Sequence, residues 1–264
     1  MARRRSSLAP ALWIPAGLAL ALLLLPLVAL IVRAPWMQLP ALLTEPTVAK
    51  ALGLSLVTAA IATGVCMLLG IPLALVLARS AQWPAVPRRL LRALITVPLV
   101  LPPVVGGVAL LLLFGRRGLI GQYLPFGIPF TSAAVVIAQV FVAMPFLVIA
   151  VEGALRASDR RFEVAAATLG ASRFTVFRSI TLPLIAPGIA SGALLCFTRS
   201  LGEFGATITF AGSFPGTTQT LPISTYLLLQ TDPNAAIALS LVLMVVSVAV
   251  LVSLRDRWVP VVVS

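Results

Sequence analysis

At 264 residues the chain is 60% hydrophobic and 10% charged, with a mean hydropathy of +1.11, against roughly 45–50% apolar and about 25% charged in soluble domains. That excludes an ordinary water-soluble fold and points to a bilayer, where each spanning helix takes ~20 apolar residues. Nineteen Lys+Arg stand against seven Asp+Glu, and histidine is absent, which excludes His-based metal sites and Ser/His/Asp or Cys/His relays.

In chain order, Arg3, Arg4 and Arg5 precede an apolar run over about 8–32. It is longer than the roughly 7–15 residues of a signal core, and no small-x-small cleavage site precedes Arg33, so it reads as a retained first span. Further apolar runs over about 51–78, 90–114, 132–155, 181–202 and 235–254 predict five more spans, with a polar, amphipathic stretch over 152–180 between the fourth and fifth. The expected fold is an all-α integral membrane protein of six transmembrane helices, one domain over 1–264. The pieces between spans are too short for a folded soluble module of typically ~50 residues or more. Prolines 26, 72, 98, 102, 103, 145, 183 and 187 fall in or beside these runs; in a membrane bundle neighbouring helices can satisfy the carbonyls they free.

The cations fix an orientation. Arg3, Arg4, Arg5, Arg79, Arg88, Arg89, Arg92, Arg156, Arg160, Arg161, Arg173, Arg178, Arg255 and Arg257 fall on one side of the six spans, whereas Arg33, Lys50, Arg116 and Arg117 fall on the other. Positive charge favours the cytoplasmic side, so both termini and the 79–92 and 152–180 loops are expected inside. Charges placed at the ends of apolar runs argue for lipid and against nucleic acid as the partner. Cys66 and Cys196 lie in apolar runs without CxxC spacing and are expected to be buried free thiols.

The 152–180 loop and the start of the fifth span hold EVAAATLGASRFTVFRSITLPLIAPGI, residues 163–189. Two short helical pieces joined near Gly170 are expected, with Ala165, Ala166 and Ala167 allowing close approach to a partner groove and Pro183 and Pro187 stiffening the return to the membrane. The same residues suit an amphipathic helix lying on anionic lipid, with Arg173 and Arg178 held by headgroups. Glu163, Ala165, Ala166, Gly170, Ile180, Leu182 and Pro183 follow the EAA…G…I-x-L-P signature of the membrane subunits of bacterial ABC importers, with Val164 where an Ala is common. The resemblance implies a type I importer permease bundle whose cytoplasmic coupling helix docks on a separate ATPase subunit.

A second stretch, FTRSLGEFGATITFAGSFPGTTQTLP from Phe197 to Pro222, resembles molybdate permeases; sulfate and thiosulfate permeases share the R-x-LGEFG core and diverge after it. The resemblance implies the pore subunit of a molybdate importer in the bacterial cytoplasmic (inner) membrane. Its partners would be a second copy of the chain, two cytoplasmic ABC ATPases, and a periplasmic or lipid-anchored molybdate-binding protein. The chain itself would hold no cofactor, since ATP and Mg belong to the ATPase. No GxxxxGK[ST] occurs, and the sole lysine, Lys50, follows Ala49, so no phosphate-cradling loop is available here. Rival readings are a permease for sulfate, thiosulfate or tungstate, a stand-alone channel or proton-coupled carrier, and a membrane enzyme. The carrier would need several ionisable groups at mid-membrane, and the enzyme paired intramembrane acids or bases.

Arg199 and Glu203 are expected as an i, i+4 pair near the outer end of span five. Either they form a gate or translocation-path element, or they are a structural pair with Arg199 reaching to the interface. Gly202 and Gly205 bracket them and mark a place for the helix to break. Gly188 and Gly192 form a GxxxG suited to close helix contact, within the chain or across a dimer axis. Arg116 and Arg117 either meet an acidic patch of a binding protein or belong to a solvated loop.

Overall fold

Inside a bilayer every backbone N–H and C=O must be satisfied within the protein, so long apolar runs become helices wherever nothing interrupts them. A computed structural model describes residues 12–159 and 161–258 of the chain. Arg3, Arg4, Arg5, Arg160 and the opening residues of the first expected span lie outside them. The elements in order are α1 (Trp13–Arg33), α2 (Leu39–Thr44), α3 (Pro46–Arg79), α4 (Ala85–Val100), α5 (Pro103–Phe114), α6 (Ser132–Ala157), α7 (Arg161–Thr168), α8 (Arg173–Val176), α9 (Leu182–Leu201), α10 (Gly205–Ala211), α11 (Leu221–Thr231) and α12 (Pro233–Trp258). No strand occurs among the described residues.

Five helical stretches are long and apolar enough to cross a membrane: α1, α3, α6, the continuous stretch Arg173–Leu201 and α12. The pair α4 and α5, bent by 113° at their junction, makes a sixth when the two are taken as one broken span. The single third span expected over 90–114 is therefore broken. Pro102 and Pro103 have no N–H to donate, and Leu101, ahead of a proline, takes extended backbone at φ −66° and ψ 133°. The pair still traverses the bundle. Arg92 of α4 pairs with Glu152 at the finish of α6, whereas Leu110 and Phe114 of α5 pack with Ala134 and Val135 at its start.

α6 packs against both α3 and α9, and these two also pack on each other, so the three helices share one core. Small residues set the spacing: a Cβ on Gly192 would lie 3.0 Å from Leu147 Cδ1 and 3.1 Å from Ala150 Cβ, and one on Gly188 would overlap Ala154 Cβ. The Gly188/Gly192 pair thus seats α9 on α6 within the chain rather than across a dimer axis. Cys66 and Cys196 are free and fully buried in this same core, among Leu147, Val148 and Ile185. α1 stands apart, with no buried residue among those described, as suits a helix facing lipid.

The fifth span begins earlier than 181. α8 passes through one π-helical turn, Phe177–Thr181, directly into α9. After Leu201 the chain does not leave the bundle but continues through α10 and α11. Leu221 N–H at the start of α11 donates to the buried Ser55 hydroxyl of α3 at 2.7 Å.

Candidate coupling loop and gate region

The loop between α6 and α9 is fixed by its own backbone. The Asp159 carboxylate accepts from Arg161 N–H at 2.9 Å, at the start of α7. At the other end Ala171 N–H reaches Ala166 C=O and Gly170 N–H reaches Ala167 C=O, both at 3.1 Å, the paired bonds of a Schellman turn. Such a turn needs a left-handed residue, and Gly170 has φ +83° with open space where a Cβ would be. Its glycine is required by conformation, not crowding. Ser172 then caps α8 by accepting from Thr175 N–H at 3.1 Å.

The expected site residues divide between an outward and an inward face. Ala165 is exposed and Ala166 half-buried, and α7 as a whole buries nothing. Phe162, Val164, Leu169 and Phe174 are all exposed, Leu169 at 88%, which leaves four large apolar side chains uncovered on the loop. On the inward side Leu182 packs on the core and Ile180 is half-buried, while Pro183 is exposed at the first turn of α9. Glu163 is half-buried and accepts a hydrogen bond from the Thr181 hydroxyl at 2.7 Å. One of its carboxylate oxygens is therefore engaged within the loop, clasping α7 to the foot of the span. Arg79, Arg156, Glu163 and Thr181 line a cavity of about 230 Å³ there, so the loops expected on the cation-rich side do meet at one end of the molecule.

The second cluster lies beyond α9, whose 20 residues from Leu182 to Leu201 span ~30 Å. Gly202 ends α9, Glu203 and Phe204 form the link, and Gly205 opens α10, so the helix breaks where the two glycines bracket the pair. Arg199 and Glu203 form an ion pair at 2.5 Å, with the Glu203 side chain 1% exposed. The pair bridges the helix end rather than lying along one helix face. The other Glu203 oxygen accepts from Ala206 N–H at 2.8 Å, so one carboxylate both neutralises Arg199 and caps α10. Because α10 continues past the pair for ~10 Å, Arg199 lies short of that end of the bundle.

Sequence spacing did not reveal what faces this link. A Cβ on Gly205 would lie 2.8 Å from Pro103 Cβ, and one on Gly107 would lie 2.7 Å from Thr209 Cβ and 2.8 Å from Ala206 C=O. The break in span three is thus pressed against the break in span five, backbone to backbone. The one available signal was the pair Gly106–Gly107, which follows Pro102 and Pro103 after two valines. Arg116 and Arg117 are exposed on the tight Gly115–Gly121 turn that follows α5.

Residues 70–260 match the family described as binding-protein-dependent transport system inner membrane component. The chain belongs to that family. It is 53% identical over 248 residues, 93% of either chain, to a protein of Mycobacterium tuberculosis described as molybdenum transport system permease protein ModB. The corresponding protein of Escherichia coli K12 is 45% identical over 175 residues, 65% of this chain and 76% of that one. A sulfate transport system permease protein, CysT of Salmonella typhimurium, is 35% identical over 241 residues, 89% of this chain and 86% of that one. Among solved structures, a bacterial ABC transporter importing the acidic polysaccharide alginate aligns with TM-score 0.68 at 17% identity, over 93% of this chain and 92% of that chain. The fold is the type I ABC importer permease bundle.

Proposed function

We propose that this permease forms the translocation path of a bacterial molybdate importer, as a homodimer in the cytoplasmic membrane. Two ATPase subunits, which carry ATP and Mg, bind inside, and a periplasmic or lipid-anchored molybdate-binding protein delivers the oxyanion outside. The observation that carries the substrate is the 53% identity spread over 93% of the chain, with the R-x-LGEFG core continuing through ATITFAG. The cation-rich end, where Arg79, Arg92 and Arg156 gather, faces the cytoplasm on the positive-inside rule, so both termini are inside.

In this reading the ATPase cleft receives α7 and α8. The exposed Phe162, Val164, Leu169 and Phe174 supply apolar side chains for that contact. When ATP draws the two ATPases together, the two loops approach one another, and the helical run from Arg173 to Leu201 carries that displacement to Glu203. Arg199, Gly202, Glu203 and Gly205 then act as the gate, and their contact with Pro103 moves the broken third span with them. No bond is made or broken in this chain.

Sulfate, thiosulfate or tungstate is the second reading, favoured by 35% identity over 89% of the chain to the sulfate permease and by the common shape and charge of tetrahedral dianions. Uptake of labelled molybdate into vesicles holding the permease, its ATPase and its binding protein is the test. ATP-dependent molybdate uptake is expected; sulfate uptake with molybdate inert would transfer the assignment to the second reading. For orientation, single cysteines at Ser158 and Gly127, in a background with Cys66 and Cys196 replaced by Ala, should react with an impermeant reagent from inside and outside respectively. Labelling of both from one side would overturn the six-span arrangement.

A further inference from the structure

Glu152 is the one carboxylate in the body of α6, and its side chain is 4% exposed. Its Oε1 accepts from Arg92 of α4 and from Nε of Arg156 at 2.9 Å, with Arg156 Nη2 at 2.8 Å. Both arginine side chains remain about half exposed, at 47% and 54%. A buried carboxylate shared by two arginines is costly to desolvate and costly to leave unpaired. It therefore ties whatever the arginines belong to. Arg156 lies on the same helix, four residues on, so its bond joins nothing new. Arg92 lies on another element.

That element is weakly held otherwise. Ile95, packed against Leu77, Leu147, Val148 and Val151, is the only buried residue of α4. Arg92 is less than one turn before it. At its far end α4 meets α5 at the 113° elbow, and Pro103 just past the elbow touches Gly205 beside Glu203. Nine residues after Glu152 the chain enters α7. We propose that the Arg92–Glu152 contact makes the inner leg of the broken third span follow the coupling loop, so that loop displacement turns α4 about its elbow. This rests on the importer reading above. It gives the gate a second drive besides α9, entering from the other side of the Pro103–Gly205 contact. Arg92 and Glu152 are positioning residues here and touch no substrate.

The test separates the two arginines. Permease, ATPase and molybdate-binding protein are reconstituted in vesicles, and ATP hydrolysis and molybdate uptake are measured together. ATP-driven uptake by the wild type tests the importer reading by itself; the variants test this inference. Arg92→Ala is expected to keep binding-protein-stimulated hydrolysis within about twofold while uptake falls about tenfold, raising ATP consumed per anion about tenfold. Arg156→Ala, which leaves the inter-helix bond intact, is expected to keep the wild-type ratio within about twofold, and Arg92→Lys to restore most of the coupling lost in Arg92→Ala. Should Arg92→Ala fail to assemble, Arg92→Gln, which keeps an amide donor without the charge, carries the same expectation at about threefold. Equal effects of Arg92→Ala and Arg156→Ala, or an unchanged ratio in Arg92→Ala, would reduce the cluster to charge compensation and overturn the inference.

Discussion

The two ends of the long fifth helical run are built on opposite principles. At its foot, α7 buries nothing, Gly170 has free space around it, and the loop is held by turn and cap hydrogen bonds and one Thr181–Glu163 clasp. At its head, Gly205 and Gly107 bring backbone onto backbone and Glu203 is wholly enclosed. A surface fixed by local hydrogen bonds keeps its shape while offering itself to a partner. A surface fixed by backbone contact transmits displacement, because there is no side chain to yield. Substitutions at the two ends should therefore fail in different ways.

The largest effects are expected at the head. Gly107→Leu must push a side chain into Thr209 and Ala206 C=O, and Gly205→Leu into Pro103; overpacking of this kind costs ~1–3 kcal/mol. Both should lower the melting temperature of the purified permease and cut uptake by about tenfold or more. Gly64→Ala, in α3 with nothing within 4 Å of the added Cβ, is the control and should gain stability by roughly 0.5–1 kcal/mol. Wild-type stability in Gly107→Leu would mean that the α5–α10 contact is loose, and the contrast between the two ends would disappear.

At the foot, the next effect in size concerns Gly170. Leucine there meets no atom but must adopt φ +83°, at a cost of roughly 1–2 kcal/mol. Gly170→Leu should abolish uptake and ATPase stimulation while leaving membrane insertion and thermal stability of the bundle intact. Gly170→Asn should keep most of both, since Asn tolerates the left-handed region. Equal loss in the Asn and Leu variants would show that the glycine is there for space after all.

These contrasts also mark what could be read in the residues themselves. Apolar length foretold the long helical runs, and Gly202 and Gly205 foretold the break after α9, because each signal is local. Gly170 was legible for the same reason. The broken third span was not, although Pro98, Pro102 and Pro103 were in view. A proline states only that an N–H is missing, and whether a neighbour repairs the helix or the chain turns depends on what packs there. Here Gly205 and Ala206 accept the turned chain. The contact of Gly188 and Gly192 with α6, and the sharing of Glu152 by Arg92 and Arg156, were equally out of reach. Spacing along one helix does not say which other helix lies opposite.

Two variants separate the two tasks of Glu203. Glu203→Gln keeps an oxygen for Ala206 N–H but loses the charge facing Arg199, whereas Glu203→Ala loses both. Leaving a partly buried guanidinium unpaired costs ~3 kcal/mol or less at its 27% exposure. Glu203→Gln is expected to lower uptake per ATP without altering the molybdate-to-sulfate preference in reconstituted vesicles, and Glu203→Ala to lower thermal stability as well, by roughly 1 kcal/mol for the lost cap. A changed anion preference at unchanged coupling would make the pair a selectivity element.

The smallest expected effect decides which way Glu163 acts. Its carboxylate accepts from the Thr181 hydroxyl, and Thr181 is 3% exposed, so Thr181→Val removes the donor with little change of shape, at a cost of ~1 kcal/mol. Glu163→Gln keeps an acceptor for Thr181 but removes the charge available to an ATPase. If the carboxylate works inward, Thr181→Val lowers uptake about twofold, Glu163→Ala lowers it by the same amount, and the double variant is no worse than either, since all three delete one hydrogen bond. Glu163→Gln is then close to wild type. A carboxylate that works outward reverses the order: Glu163→Gln would be as damaging as Glu163→Ala, and Thr181→Val harmless. The hydrogen bond favours the inward role, in which the loop keeps its shape by its own bonds and leaves its exposed apolar side chains to make the contact.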